Sequence, residues 1–205
     1  MTIIYLIRHG DTDYVGRKLA GWLPGIHLNE RGRRQAARLA EELAAVRFAA
    51  LYASPLDRTL ETAAPIAASH HLRVVRRPGL GELKAGTWEG QSLKSLRRRK
   101  LWAVVQHSPS LARFPGGESF VEAQGRMVAV LEDLRREHPR PEAILAVISH
   151  ADMIKLALAH YIGLPLDQFQ RLSIEPASIS ILSVGDSHTR LLQQNDTHAS
   201  RPQPK

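Results

Sequence analysis

The stretch Ala143–Ser149 is apolar at every position before its closing serine, and it ends at His150. A strand with one wetted face alternates apolar and polar residues, so an unbroken apolar run describes a strand covered on both faces. That requires helices on two sides of a sheet, the layout of an open, mostly parallel α/β fold. A second run, Ile3–Ile7, has the same character and ends at Arg8-His9-Gly10. Both runs are far too short to cross a bilayer.

Between and beyond these runs the chain alternates strand and helix signals. Glu30–Val46 reads as a helix with Ala36, Leu39, Ala40 and Leu43 on one stripe. Ala49–Ala53 reads as a strand, followed by a helix that Ser54 would cap and Pro55 would open. Leu56, Leu60, Ala63 and Ala67 form its apolar stripe, and Arg58 lies off that stripe near the helix start. Leu72–Val75 is a third strand, Pro78–Gly90 is irregular, and Ser92–Gln106 is helical before a Pro/Gly loop to Gly117. Ser119-Phe-Val-Glu122 is a capping box that opens a helix running to Pro139. A helix from Asp152 to Tyr161 and strands at Ser178–Val184 and Thr189–Gln193 complete the pattern. The expected organisation is one domain over residues 1–194 with a small helical cap over roughly 93–117, and an unstructured tail at 195–205.

The chain has no cysteine, which removes disulfides, thiolate metal sites and cysteine-based catalysis. Its formal charge is +8, with the densest cluster at Lys94–Lys100. No aromatic residue interleaves with that cluster, so nucleic acid is not an expected partner and a small anionic molecule is. No charged leader precedes a long apolar segment, which makes the cytoplasm the expected compartment.

Two of the strands end in histidine, at Arg8-His9 and Ser149-His150, and a third delivers Arg58 at the top of the next helix. If these strands run parallel, their ends share one edge of the sheet, where α/β folds bind ligands. Two arginines, two histidines and a helix N-terminus meeting there suit a phosphoryl group.

These residues, with their neighbours, carry a resemblance. Arg8-His9-Gly10-Asp11-Thr12, Leu28-Asn-Glu-Arg-Gly32, Ser54-Pro55-Leu56-Asp-Arg58-Thr-Leu-Glu61-Thr62-Ala63, Leu80-Gly-Glu82, Gly86-Thr-Trp88-Glu89-Gly90, Pro115-Gly-Gly117-Glu118-Ser119 and Ser149-His150 occur in one order along the chain. In that series the sequence resembles the histidine phosphatase superfamily, phosphoglycerate mutase-like, and in particular its phosphatase branch. The resemblance implies a three-layer sandwich around a mostly parallel central sheet, with a helical cap. It also implies hydrolysis of a small phosphate ester through a phosphohistidine, with no cofactor and no metal, in a protein that often forms homodimers.

Carried over residue by residue, His9 would be the nucleophile. Arg8, Arg58 and His150 would hold the phosphoryl oxygens, and Glu82 would be the proton donor, with Glu61, Glu89 and Glu118 as rivals for that last role. Arg8, Thr12, Leu19, Ala20, Gly21, Arg58, Glu82, His150 and Ala151 would contact substrate. The sequence departs from the family pattern in four places: Asp11 replaces a Glu, Val15 an Asn, Leu19 a Gln, and Ala151-Asp152 a Gly-Gly pair. A mutase is the competing reading within the family, and the short stretch from Glu82 to Glu89 resembles the phosphatase side. Two more distant readings are a metal-dependent hydrolase using Asp11 and Asp13, and a binding module without turnover.

Overall fold

The computed structural model describes residues 1–197 and contains one six-stranded sheet of order β3-β2-β4-β1-β5-β6. The strands are β1 (Thr2–Arg8), β2 (Ala50–Ala53), β3 (Val74–Arg76), β4 (Ile144–Ser149), β5 (Ile179–Val184) and β6 (Thr189–Asp196). The first four are mutually parallel, and β5 and β6 add an antiparallel edge. Among the described residues, no helix is long and apolar enough to cross a membrane.

The unbroken apolar runs have the expected cause. Along β1 and β4, Ile4, Leu6, Leu145 and Val147 point to one core, while Ile7, Ala146 and Ile148 point to another. Helices α1 (Glu30–Glu42) and α2 (Asp57–Ser69) supply Leu39, Ala40, Ala63 and Ile66 to the second of these. On the opposite face lie α5 (Phe120–Glu137) and α6 (Ala151–Tyr161), whose Met127, Leu131, Ile154 and Leu158 are fully buried. Alternate burial on two faces is what excludes polar residues from the central strands.

Several sequence expectations shift. The first helix stops at Glu42 rather than Val46, because tight turns there bring Phe48 into the core, edge-on to Tyr5 at 5.3 Å. Ser54 does not cap α2, which begins at Asp57 after Leu56 with no side-chain cap. The Ser54 hydroxyl is engaged elsewhere, 2.9 Å from His150 Nε2. The helix expected over Ser92–Gln106 is two, α3 (Leu93–Leu96) and α4 (Lys100–His107). It breaks where Arg99 turns back over the Trp88 ring and donates to Gln91 at 2.7 Å. Asn195 and Asp196, expected in the tail, belong to β6, since alternation along that strand continues past Gln193. The rest of that expected tail, residues 198–205, lies outside the described residues.

The inserted segment packs on the same core as the sheet. Leu96, Val105, Ala112 and Phe114 belong to the cluster that contains Ile4 and Leu6. A run of rings joins them: Trp88 to Phe114 at 5.2 Å, Phe114 to Phe120 at 5.6 Å and Phe120 to Phe169 at 5.2 Å. Each such pair adds about 0.5–1.5 kcal/mol to the burial it accompanies.

The turn after β1 is seated on α1 by backbone-to-backbone approach. A Cβ on Gly10 would lie 2.7 Å from the Gly32 carbonyl oxygen, and one on Gly32 would overlap the Asp11 backbone. The Asn29 and Asp11 amides fix this junction, donating to the Asp11 carbonyl at 3.1 Å and to Gln35 Oε1 at 2.8 Å. Gly32→Ala is therefore expected to cost about 1–3 kcal/mol in a urea melt. Gly125→Ala, on an open face of α5 where a Cβ meets nothing, is expected to gain up to about 1 kcal/mol. Equal effects from the two substitutions would refute the close approach.

Candidate active site

The parallel pairing of β1 with β4 sets Arg8 opposite Ser149, so the histidines that follow them stand side by side. The His9 amide donates to the Ser149 carbonyl at 3.0 Å, and the two rings lie 5.2 Å apart, inclined at 63°. β2 ends beside them and α2 brings in Arg58, which is 1% exposed. Sequence reading allowed Arg58 a place on the helix surface; the fold buries it.

The hydrogen bonds assign protons on both imidazoles. His9 Nδ1 lies 2.7 Å from the Gly10 carbonyl, which can only accept, so Nδ1 carries a proton, and in the neutral ring the lone pair is on Nε2. Arg58 Nη2, which can only donate, lies 3.3 Å from His150 Nδ1, so His150 carries its proton on Nε2 and donates it to Ser54 Oγ. Burial, then Arg58 and Arg8, hold His9 well below the usual imidazole range. His150 is held down in the same way, by burial first and then by Arg58 and His9.

The two guanidinium groups are held through carbonyls, not carboxylates. Arg8 Nη1 donates to the Ile174 carbonyl at 2.7 Å and Arg58 Nη2 to the Gly21 carbonyl at 2.9 Å. Arg8 Nε, Arg58 Nε and Arg58 Nη1 are buried with no partner among the described residues. Buried donors without acceptors are costly, and an anion seated among them would remove that cost.

Glu82 reaches the same place from a loop clamped by its backbone. Arg126 of α5 donates to the carbonyls of Gly79, Gly81 and Glu82 at 2.8, 2.9 and 3.2 Å, and is itself paired with Glu118 at 2.6 Å. Trp22 Nε1 donates to the Glu82 carbonyl, and Ser149 Oγ to that of Leu80 at 2.7 Å. The Glu82 side chain is 19% exposed, with Oε2 3.7 Å from His150 Nδ1. Burial, then the charge of Asp152, raises its carboxyl to about 7, against the opposing pull of Arg58 and Arg8.

A cleft of about 290 Å³ opens above this group, and Arg8, His9 and Glu82 line it. Thr12, Leu19, Ala20 and Ala151, which the resemblance implies as substrate contacts, are on its wall. Gly21 is not; its carbonyl is taken by Arg58. Arg58 and His150 are fully buried and are not part of that wall. The rival carboxylates are occupied elsewhere: Glu61 by His27 and the Leu28 amide, Glu89 by the Ala85 amide and Glu118 by Arg126. Among the described residues, no group of three or more His, Cys, Asp or Glu is placed to hold a metal ion.

Sequence reading missed Arg126, Trp102, Gln106, Asp152 and Gln170. Arg126 left one trace, a cation interrupting the apolar run of α5 beside Met127. Asp152 left another, as part of the departure from a Gly-Gly pair, while Trp102, Gln106 and Gln170 left none, because separate helices converge on the cleft. The basic cluster Lys94–Lys100 also divides: Arg97 lines the cleft and Arg99 covers Trp88, while Arg98 is exposed.

Comparison with known proteins identifies the family. The chain is 28% identical over 204 residues to phosphoserine phosphatase 1 of Hydrogenobacter thermophilus, covering 96% of this chain and 93% of that one. It is 33% identical over 186 residues to a probable phosphoglycerate mutase, GpmB, of Proteus mirabilis, covering 88% and 84%. The solved structure of Bacillus stearothermophilus YhfR superposes with a TM-score of 0.88 at 28% identity, over 96% of this chain and 98% of that one. The profile of the histidine phosphatase superfamily (branch 1) matches residues 4–197. With that match over nearly its whole length, the chain belongs to the histidine phosphatase superfamily, whose members among its relatives are phosphatases and phosphoglycerate mutase-like proteins.

Proposed function

We propose that this protein is a phosphomonoesterase that hydrolyses a small phosphorylated metabolite through a phosphohistidine on His9 Nε2, without a metal. The observation that carries this reading is the set of buried, unpartnered guanidinium donors on Arg8 and Arg58 around an imidazole held neutral. Such donors stabilise charge on the equatorial oxygens during transfer, which is the work a metal performs in other phosphoryl-transfer sites.

In the first step the Nε2 lone pair of His9 attacks phosphorus and the ester P–O bond breaks, with the leaving oxygen taking the proton of Glu82. In the second step Glu82, now a carboxylate, takes a proton from water as that water attacks phosphorus. The P–N bond breaks and inorganic phosphate leaves. A carboxyl near pH 7 serves both steps, because it gives and recovers a proton at similar cost.

On the outer wall, Arg97 and Lys18 add positive charge, and Val15, Leu19, Leu93 and Trp102 add apolar surface. This favours an ester whose leaving group carries a further anionic group. A planar guanidinium suits a carboxylate there.

Three outcomes are expected. Phosphate release from an aryl phosphate should survive a chelator and fall to background in His9→Ala. Loss of activity in chelator, or its survival in the variant, would overturn the reading. The rate should be level through mildly acidic pH, where His9 is neutral and Glu82 protonated, then fall above about pH 7 as Glu82 ionises. Glu82→Gln should lower kcat about 10²–10⁴-fold and abolish that alkaline limb. Finally, Arg97→Ala should raise KM about tenfold for carboxylate-bearing phosphate esters and leave KM for a neutral aryl phosphate unchanged, in keeping with a charge-assisted bond of about 1.5–3 kcal/mol. Arg98→Ala should do neither.

A further inference from the structure

Asp152 stands in the first turn of α6, two residues past His150, and its side chain lines the same cleft as His9, Arg8 and Glu82. A carboxylate on the wall of a cleft built for an anion works against binding, so its presence there needs a compensating role. It is also tethered. Lys155, one turn along α6, sets Nζ 3.6 Å from Asp152 Oδ1 and donates to Gln170 Oε1 at 3.1 Å, and Gln170 lines the cleft too. The Lys155 ammonium lies 5.9 Å above the buried Phe169 ring, which limits its movement.

We propose that Asp152 is a positioning residue that keeps the proton on Glu82 until the leaving oxygen receives it, with Lys155 neutralising part of its charge. This rests on the reading of Glu82 as the proton donor. Six groups face Glu82: Arg8 from the end of β1, His9 after it, Arg58 from α2, His150 and Asp152 at the start of α6, and Arg126 from α5 at its main-chain carbonyl. Arg58 and Arg8 pull Glu82 toward ionisation, Arg126 is offset by its pairing with Glu118, and the two histidines are neutral. Of the six, Asp152 alone carries negative charge. Without it, burial alone would oppose the pull of Arg58 and Arg8, and Glu82 would release its proton at a lower pH.

The test is the pH dependence of kcat/KM on an aryl phosphate from pH 5 to 9, for the full chain and for Asp152→Asn, Lys155→Met and Glu82→Gln. Asp152→Asn should move the midpoint of the alkaline limb acidward by about half a pH unit or more, roughly a threefold loss on the limb relative to the plateau. Lys155→Met, which leaves the Asp152 charge less neutralised, should move it the other way. The midpoint is a ratio within one variant, so partial loss of folded protein does not mimic it. An unmoved midpoint in Asp152→Asn would overturn the proposal, as would an acidward shift in Lys155→Met. A limb abolished by Asp152→Asn would overturn it too, because Asp152 would then carry the proton itself. If Glu82→Gln keeps the wild-type limb, the assignment of Glu82 fails and this proposal fails with it, and that result is read independently of the other two variants.

Discussion

One buried and one half-buried guanidinium group beside two buried imidazoles, with no carboxylate among the described residues bonded to either, are the constraint around which this molecule is arranged. Their mutual repulsion and lost hydration are severe in a low-dielectric interior. The protein meets part of that cost with main-chain carbonyls, Ile174 for Arg8 and Gly21 for Arg58. Those carbonyls come from loops far away in sequence, so the cations also organise the loops that wall the cleft. The donors left over are those the proposed phosphoryl group would engage.

The same restraint governs Glu82. None of its anchoring falls on the carboxylate apart from one bond from the Leu83 amide. Arg126 and Trp22 grip the loop by its carbonyls, and Ser149, at the end of β4, reaches up to Leu80. The strand that delivers His150 thus also positions the turn that delivers the acid. A carboxyl held by its backbone keeps its side chain free to exchange protons, which a carboxyl locked in an ion pair does not.

Most of the fold and the centre of the site were legible in the sequence, for identifiable reasons. β1 and β4 are buried on two faces and so are written in an unbroken apolar code, and the residues that end them mark the sheet edge. The capping box at Ser119 has a local signature, and both of its bonds form. Signals failed where long-range contacts overrode local ones. Ser54 has the chemistry of a cap but commits its hydroxyl to His150, and the helix after Ser92 breaks because Arg99 turns back onto Trp88. Arg126 and Asp152 were missed because their importance comes from what other elements bring near them. Gly21 gave no sign in the sequence that its carbonyl accepts from Arg58.

The inserted helices share their hydrophobic core with the sheet, through Leu96, Val105, Phe114 and the ring series that ends at Phe169. A cap with its own core can swing on a hinge; one that is continuous with the body's core belongs to the same cooperative unit and opens only as that unit loosens. The cleft is therefore a preformed mould. Selectivity is decided as a ligand enters, with little of its binding energy diverted to closing a lid, and that rigidity limits the protein to ligands that already match the shape.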